Sequence, residues 1–272
     1  MSAYGALLKS SQSPKGVLAP TVWKVDNVSR RKTEGSESEQ QGQTQEGKKT
    51  GEIVMFHLTL ETAPGDLVGY MSDEFLEELA RGRTYPQELI IKTEEGEEKQ
   101  VYGRREFEGY FFAGDVLVGL LVDSEERVID SSSEGGKEGK EVDPTQVTLE
   151  GVRRGREWKE CVTGFYYVKP NYPGRSSHIC NGGFVVPHAS RGKGFARILA
   201  RSYLHYAPRL GFSASVFNLV FVDNVASIRL WEALGFEKVG RIPKAGRLRR
   251  KDGEGEEYVD AWVIHKEFDP IN

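Results

Sequence analysis

The hexapeptide Arg191-Gly-Lys-Gly-Phe-Ala196 combines two glycines with two cations at a predicted strand-to-helix junction. The free backbone N–H groups of a helix N-terminus, together with the positive end of the helix dipole, attract anions. Glycine lets the backbone approach an anion without an intervening Cβ atom, and Arg191 and Lys193 add positive charge. The hexapeptide therefore indicates a phosphate site, although a glycine-rich turn without a ligand has the same short pattern.

This pattern differs from the two most common nucleotide-binding motifs. It lacks the Gly-Lys-Ser/Thr ending of a Walker loop. It also lacks the Gly-x-Gly-x-x-Gly spacing that follows the first strand of a dinucleotide-binding βαβ unit. Kinase and dehydrogenase functions are therefore disfavoured.

A second segment, Asn224-Val-Ala-Ser-Ile-Arg-Leu-Trp-Glu-Ala-Leu-Gly-Phe236, follows roughly thirty residues later. Together with Arg-x-x-Gly-x-Ala after Val185-Val186, it resembles the acetyl-CoA signature of the GNAT acetyltransferases. The resemblance implies an acetyl-CoA-dependent enzyme with no metal ion. It also implies that acetyl-CoA is bound by Phe184, Val185, Val186, Arg191, Gly192, Lys193, Gly194, Phe195, Ala196, Asn224 and Ser227.

Four further stretches, Gly82–Gln87, Tyr167–Tyr172, Cys180–Phe184 and Phe217–Val222, resemble fungal N-acetyltransferases that act on the proline analogue L-azetidine-2-carboxylate. The resemblance implies a homodimer and a small-molecule amine substrate. By the same resemblance, Asn181 and Asn218 bind the substrate, and Asn218 and Asn224 take part in catalysis. A buried asparagine must satisfy four hydrogen-bonding capacities, which either a polar substrate or the protein itself can do.

The sequence does not single out a general acid or a general base. The family commonly has a Tyr that protonates the departing sulfur where this chain has Trp231, and an indole cannot act as that acid. We interpret His178 as a turn or packing residue, and Asp223 as a helix cap. Three alternatives therefore stay open: a small-molecule acceptor, a protein lysine or polyamine, and a non-catalytic acyl-CoA-binding module.

The elements that must position these residues alternate between strand and helix, which predicts an α/β (α+β) fold. The GNAT resemblance further implies a mixed central sheet flanked by helices, with splayed strands at the acetyl-CoA site. A helix is expected from Ser72, as its N-terminal cap, to Ala80, and another from about Gly192 to Tyr206. The strand predictions are Ile53–Leu60, Asp115–Val122, Cys161–Val168, Ile179–Val186, Ser213–Val222, Phe236–Arg241 and Tyr258–His265.

Length and composition set the wider limits. We divide the 272 residues into an N-terminal extension (1–52), partly disordered, and a single domain (53–272) with a flexible insertion around 124–157. The polar tract at 30–51 predicts the disorder in the extension, and the polar tract at 131–140 predicts the flexibility of the insertion. A net charge of −4 favours neither nucleic acid nor membrane binding, and we expect a cytoplasmic protein, with nucleus or mitochondrion as alternatives. Cys161 and Cys180 are predicted to be buried thiols.

Overall fold

The computed structural model describes residues 16–26, 50–93, 96–122, 128 and 139–270. In chain order the strands are β1 (Thr21–Asp26), β2 (Thr50–Leu58), β3 (Ile90–Lys92), β4 (Glu98–Gln100), β5 (Asp115–Leu121), β6 (Lys140–Glu141), β7 (Val162–Pro170), β8 (Ile179–Val185), β9 (Ala214–Phe221), β10 (Glu237–Arg249) and β11 (Glu256–Glu267). The helices are α1 (Gly65–Arg81), α2 (Arg104–Phe111), α3 (Leu149–Arg153), α4 (Trp158–Cys161), α5 (Phe195–Arg209) and α6 (Val225–Ala233).

One nine-stranded sheet organises the chain, in the order β10-β11-β9-β8-β7-β5-β2-β1-β6. Strands β8 and β9 are parallel, and every other pair in this sheet is antiparallel. Strands β3 and β4 form a separate small hairpin. The prediction of a mixed central sheet flanked by helices is therefore confirmed.

Strands β8 and β9 separate soon after they meet. They pair only at Ile179↔Ala214 and Cys180↔Ser215, although both strands continue for several residues. A buried network holds this junction, because Tyr203 Oη lies 3.0 Å from Cys180 Sγ and 2.7 Å from Ser215 Oγ. Beyond the junction the strands splay, which leaves backbone groups free to bind a ligand.

The two faces of the sheet carry different helices. Buried residues of α5, including Ile198, Leu199 and Tyr203, pack on one face with Phe217. Helices α1 and α2 cover the other face, where Phe75 stacks among aromatic side chains. A helix with one apolar stripe buries that stripe against a sheet, so each helix is fixed by its own periodicity.

The predicted start of the first helix was wrong. Helix α1 begins at Gly65, after Pro64, so Ser72 lies inside it and is 1% exposed. The Ser72 hydroxyl has no hydrogen-bond partner in the described part of the chain. The sequence Ser72-Asp-Glu has the residue types of a helix N-terminus, and Gly65 and Gly69 are weak helix formers. Burial of Leu67 and Met71 in the core nevertheless stabilises the helix from Gly65 onwards.

The structure describes parts of the predicted N-terminal extension and of the predicted insertion. Strand β1, from the proposed extension, pairs with β2 in the main sheet. Residues 30–49 and 131–138, the cores of the two polar tracts, lie outside the described residues. Within the proposed insertion, Val152 and Trp158 are buried against the α1 side of the core. Both cysteines are buried, as predicted, and no helix in the described ranges is long and apolar enough to cross a membrane.

Candidate active site

A cavity of about 600 Å³ extends from the start of α5 to the gap between β8 and β9. All but one of the residues predicted to bind cofactor or substrate line it. They are Asn181, Phe184, Val185, Val186, Arg191, Gly192, Gly194, Phe195, Ala196, Asn218, Asn224 and Ser227. The exception is Lys193, whose Nζ donates to the Ala189 carbonyl at 2.8 Å.

The phosphate loop has the geometry of an anion site. Gly192 and Gly194 have φ values of 75° and 80°, in the left-handed region that favours glycine. A Cβ atom added to either would have no neighbour within 4 Å, so space beside the loop is open. Gly194 is the N-cap of α5 and provides no side-chain cap, so the first N–H groups of the helix remain available. This loop fits the pyrophosphate of acetyl-CoA.

Arg191 forms an ion pair with Glu78, a carboxylate that was not selected from the sequence. Its Nη2 lies 2.5 Å from Glu78 Oε2, and its Nε donates to the Val186 carbonyl at 3.1 Å. Glu78, near the end of α1, is 6% exposed and also accepts a hydrogen bond from Thr84 Oγ1. An ion pair with a buried carboxylate fixes the guanidinium at the edge of the cavity. Contact between Arg191 and phosphate stays a prediction.

The splayed strand β8 offers backbone groups to the cavity. Tyr85 Oη donates to the Phe184 carbonyl at 3.0 Å, and both residues line the cavity. In an extended strand the N–H and C=O of one residue point to the same side, so the Phe184 N–H also faces the gap. Burial raises the pKa of the Tyr85 phenol well above its ordinary value, which keeps its proton in place.

Three asparagines meet on the sheet face that α1 and α2 cover. Asn171 Oδ1 accepts from Asn181 Nδ2 at 3.1 Å and from Asn218 Nδ2 at 2.6 Å, while Asn171 Nδ2 donates to Asn218 Oδ1 at 3.1 Å. Asn171, which is 9% exposed, was not selected from the sequence. It begins the segment Asn171-Tyr-Pro-Gly174, whose residue types predict a turn between two strands. The structure shows it to be the hub of the cluster.

The start of α6 corrects one detail of the sequence analysis. Asn224 is the N-cap, because its Oδ1 accepts from the Ser227 N–H at 3.2 Å. Asp223 forms an ion pair with Arg83 instead of capping the helix. Asn224 lines the cavity, and its Nδ2 group has no hydrogen-bond partner among the described residues. A capping role therefore leaves one donor of Asn224 available for chemistry, and its catalytic role stays a prediction.

Trp231 is part of the aromatic wall beside the gap. It is 5% exposed, and its ring centroid lies 4.6 Å from that of Phe217, 5.1 Å from that of Phe184 and 4.9 Å from that of Phe236. These contacts are typical of offset and edge-on aromatic packing. Trp231 therefore closes the base of the cavity by packing, and it provides no proton.

Two tyrosines form the opposite wall, and Lys169, which does not itself line the cavity, packs against their rings. Tyr110 Oη lies 2.8 Å from Tyr167 Oη, and both residues line the cavity. Lys169 Nζ lies 3.9 Å from the ring centroid of Tyr110 and 4.1 Å from that of Tyr167, and donates to the Tyr110 carbonyl at 3.0 Å. Burial raises the pKa values of both phenols, so they stay neutral.

Comparisons with known proteins agree with this geometry. Residues 140–236 match the family described as Acetyltransferase (GNAT) family. The chain is 39% identical over 191 residues to N-acetyltransferase aca1 of Schizosaccharomyces pombe, covering 70% of this chain and 75% of that protein. It is 29% identical over 221 residues to Protein SPT10 of Saccharomyces cerevisiae, covering 76% of this chain but only 32% of that longer protein.

The fold is also similar to solved structures. One is yncA from Salmonella typhimurium, whose structure contains its cofactor acetyl-CoA. The TM-score is 0.50 at 18% identity, and the match covers 79% of this chain and 94% of that one. At this identity the likeness concerns the fold alone.

Proposed function

Because the chain belongs to the acetyltransferase (GNAT) family and is an acetyl-CoA-dependent enzyme, we propose that its acceptor is a small-molecule amine, specifically a cyclic imino acid. L-Azetidine-2-carboxylate and proline-related metabolites belong to this class. The observation that carries the proposal is the cluster of Asn171, Asn181 and Asn218 at the gap between β8 and β9. It places several amide groups where a compact polar molecule can be held.

Acetyl-CoA supplies the acetyl thioester when it is bound along the phosphate loop and β8. The protein must hold a neutral amine beside the gap and stabilise negative charge that develops on the thioester oxygen. The Phe184 N–H, which faces the gap, is suited to the second task. Backbone donors held rigidly by a sheet need no reorganisation during reaction, which is the source of their effect.

The asparagines are suited to the first task. Asn181 Oδ1 accepts no hydrogen bond from the described residues, although Asn181 Nδ2 is held by Asn171. An amine N–H can therefore donate to Asn181 Oδ1 without breaking the cluster. Asn224 Nδ2, at the other side of the gap, is a further available donor. Together these groups orient an amine, which contributes to rate by proximity and alignment.

The size of the acceptor end favours a small molecule over a peptide. Tyr85, Tyr110 and Tyr167 enclose it on the side of α1 and α2, and Gly183 lies against the Tyr167 ring. A Cβ on Gly183 would lie 2.5 Å from Tyr167 Cε1, so only glycine at this position lets β8 pack directly on the Tyr167 ring. Acetylation would remove the secondary amine of a proline analogue, and detoxification is the biological role that we propose.

The decisive experiment is a thiol-release assay with acetyl-CoA and a panel of amines. Azetidine-2-carboxylate and proline derivatives represent the proposed class, and polyamines and lysine peptides represent the alternatives. Turnover restricted to cyclic imino acids supports the proposal. Turnover on lysine peptides or polyamines alone overturns the acceptor, and tight CoA binding without turnover on any amine indicates a non-catalytic acyl-CoA-binding module.

A further inference from the structure

Lys169 is a half-buried cation near the acceptor end of the cavity, and the activity described so far does not use it. Its ammonium group contacts the faces of Tyr110 and Tyr167 and donates one hydrogen bond, to a backbone carbonyl. No carboxylate forms an ion pair with it among the residues that the structure describes. Even partial burial of a charge without a counter-ion costs free energy, and a ligand of opposite charge would offset that cost.

The strand register places Lys169 on the acceptor face of the sheet. Side chains alternate along a strand, so Tyr167 and Lys169 project to the same side of β7, and Asn171 follows directly after the strand ends. Lys169 pairs directly with Asn181 of β8, and cross-strand partners have Cβ atoms about 4.5–5.5 Å apart. The ammonium group is therefore a close neighbour of the asparagine cluster, behind two tyrosines that line the cavity.

The surroundings of Lys169 prepare it to bind an anion. Desolvation lowers its pKa from 10.5 to about 8, which reflects the missing counter-ion, and leaves a large share of the side chain protonated at neutral pH. An ammonium group has three donors, and only one is used here. The other two have no acceptor among the described residues, and we infer that a carboxylate bound beside Asn181 accepts from them.

We propose that Lys169 binds the carboxylate of the acceptor and so restricts the enzyme to amines that carry a carboxylate near the reacting nitrogen. This inference rests on the proposed function and deepens it, because it assigns the residue that recognises the carboxylate of a cyclic imino acid. Lys169 would hold the carboxylate while Asn181 and Asn218 orient the nitrogen. A matching amide or a simple cyclic amine would lack the charge that Lys169 recognises.

The test compares matched acceptors and matched variants. Azetidine-2-carboxylate, its carboxamide and unsubstituted azetidine are assayed with wild type, Lys169→Met and Lys169→Arg. Methionine keeps the length and the aromatic packing of the side chain without its charge, and arginine keeps the charge. Acetyl-CoA affinity, measured by calorimetry, is the control for folding and for the cofactor half of the site.

For wild type, kcat/KM is expected to be about 10- to 100-fold higher for the acid than for the amide, the range of one charge-assisted hydrogen bond. Lys169→Met should remove that preference while leaving amide turnover and acetyl-CoA affinity within about twofold. Lys169→Arg should restore part of the preference. Equal losses for acid and amide, or no loss for either, would overturn the role of Lys169.

A binding measurement separates this inference from the proposed function. Calorimetric binding of N-acetylated azetidine-2-carboxylate to the complex with CoA reports carboxylate recognition without turnover. If wild type binds this product and Lys169→Met does not, Lys169 recognises the carboxylate even if no amine is acetylated. If amines are acetylated without any preference for a carboxylate, the proposed function stands and the inference fails.

Discussion

Asn171 offers the sharpest test of how the acceptor site is built. Its amide makes three hydrogen bonds to the two asparagines that line the cavity, and it does not itself line the cavity. Replacement by alanine leaves Asn181 and Asn218 without their shared partner. Both side chains would then be free to rotate away from the gap, so a residue that is absent from the cavity wall should control acceptor binding.

The size of the effect follows from the bonds that are lost. A neutral hydrogen bond contributes about 0.5–1.5 kcal/mol, so the three bonds of Asn171 amount to about 1.5–4.5 kcal/mol. If most of this free energy serves to orient the two asparagines, kcat/KM for the acceptor should fall roughly 10- to 1000-fold. The phosphate loop does not contact this cluster, so the dissociation constant of acetyl-CoA should stay within about twofold of wild type.

The assay measures thiol release at varied acceptor concentration, with calorimetry for acetyl-CoA and urea unfolding for stability. Tyr172→Phe is a matched control, because it removes only the 3.4 Å hydrogen bond to Asn218 Oδ1 and should change kcat/KM by less than about threefold. If Asn171→Ala weakens acetyl-CoA binding in parallel, Asn171 supports the fold as a whole. If it destabilises the protein but leaves acceptor kinetics unchanged, the hub does not orient the site.

Three other changes test separate parts of the site and fold. Gly194→Val combined with Arg191→Glu should raise the dissociation constant of CoA by at least about 100-fold. The valine side chain would fill the open space beside the loop, and the glutamate would reverse the charge at position 191. An unchanged affinity in calorimetry would refute the assignment of the loop as the phosphate site. Gly183→Ala should raise the KM for the acceptor about tenfold or more, since the added Cβ would lie 2.5 Å from Tyr167 Cε1; a normal KM would show that the acceptor binds elsewhere. Burial lowers the pKa of His205 to about 4, so His205 binds a proton in the unfolded chain before it does so in the folded protein as the pH falls. The free energy of unfolding should therefore be highest above about pH 6.5 and should decrease by on the order of 2 kcal/mol by pH 5. Urea unfolding of His205→Gln should show a smaller decrease over this pH range than wild type.

The sequence by itself determined the features that depend on local chemistry. The glycines and cations of the phosphate loop can be recognised in the sequence, because the free N–H groups of a helix N-terminus attract an anion without any contribution from residues distant in the chain. The asparagine Asn224 at the start of α6 is likewise a local signal, and the structure confirms that it begins that helix. Alternating strand and helix patterns, read along the chain, were sufficient for the fold class.

Only the tertiary structure decided which residues surround the acceptor. Asn171 and Asn218 are 47 positions apart in the chain, and Glu78 and Arg191 are 113 apart. Strand register and the position of α1 bring these pairs together, and neither is encoded in a short stretch of sequence. Lys169 is a further case, because a lysine in a strand is ordinarily exposed, and only the packing of α2 against β7 buries it over two aromatic rings. Local patterns therefore locate the cofactor half of the site, and long-range packing creates the acceptor half.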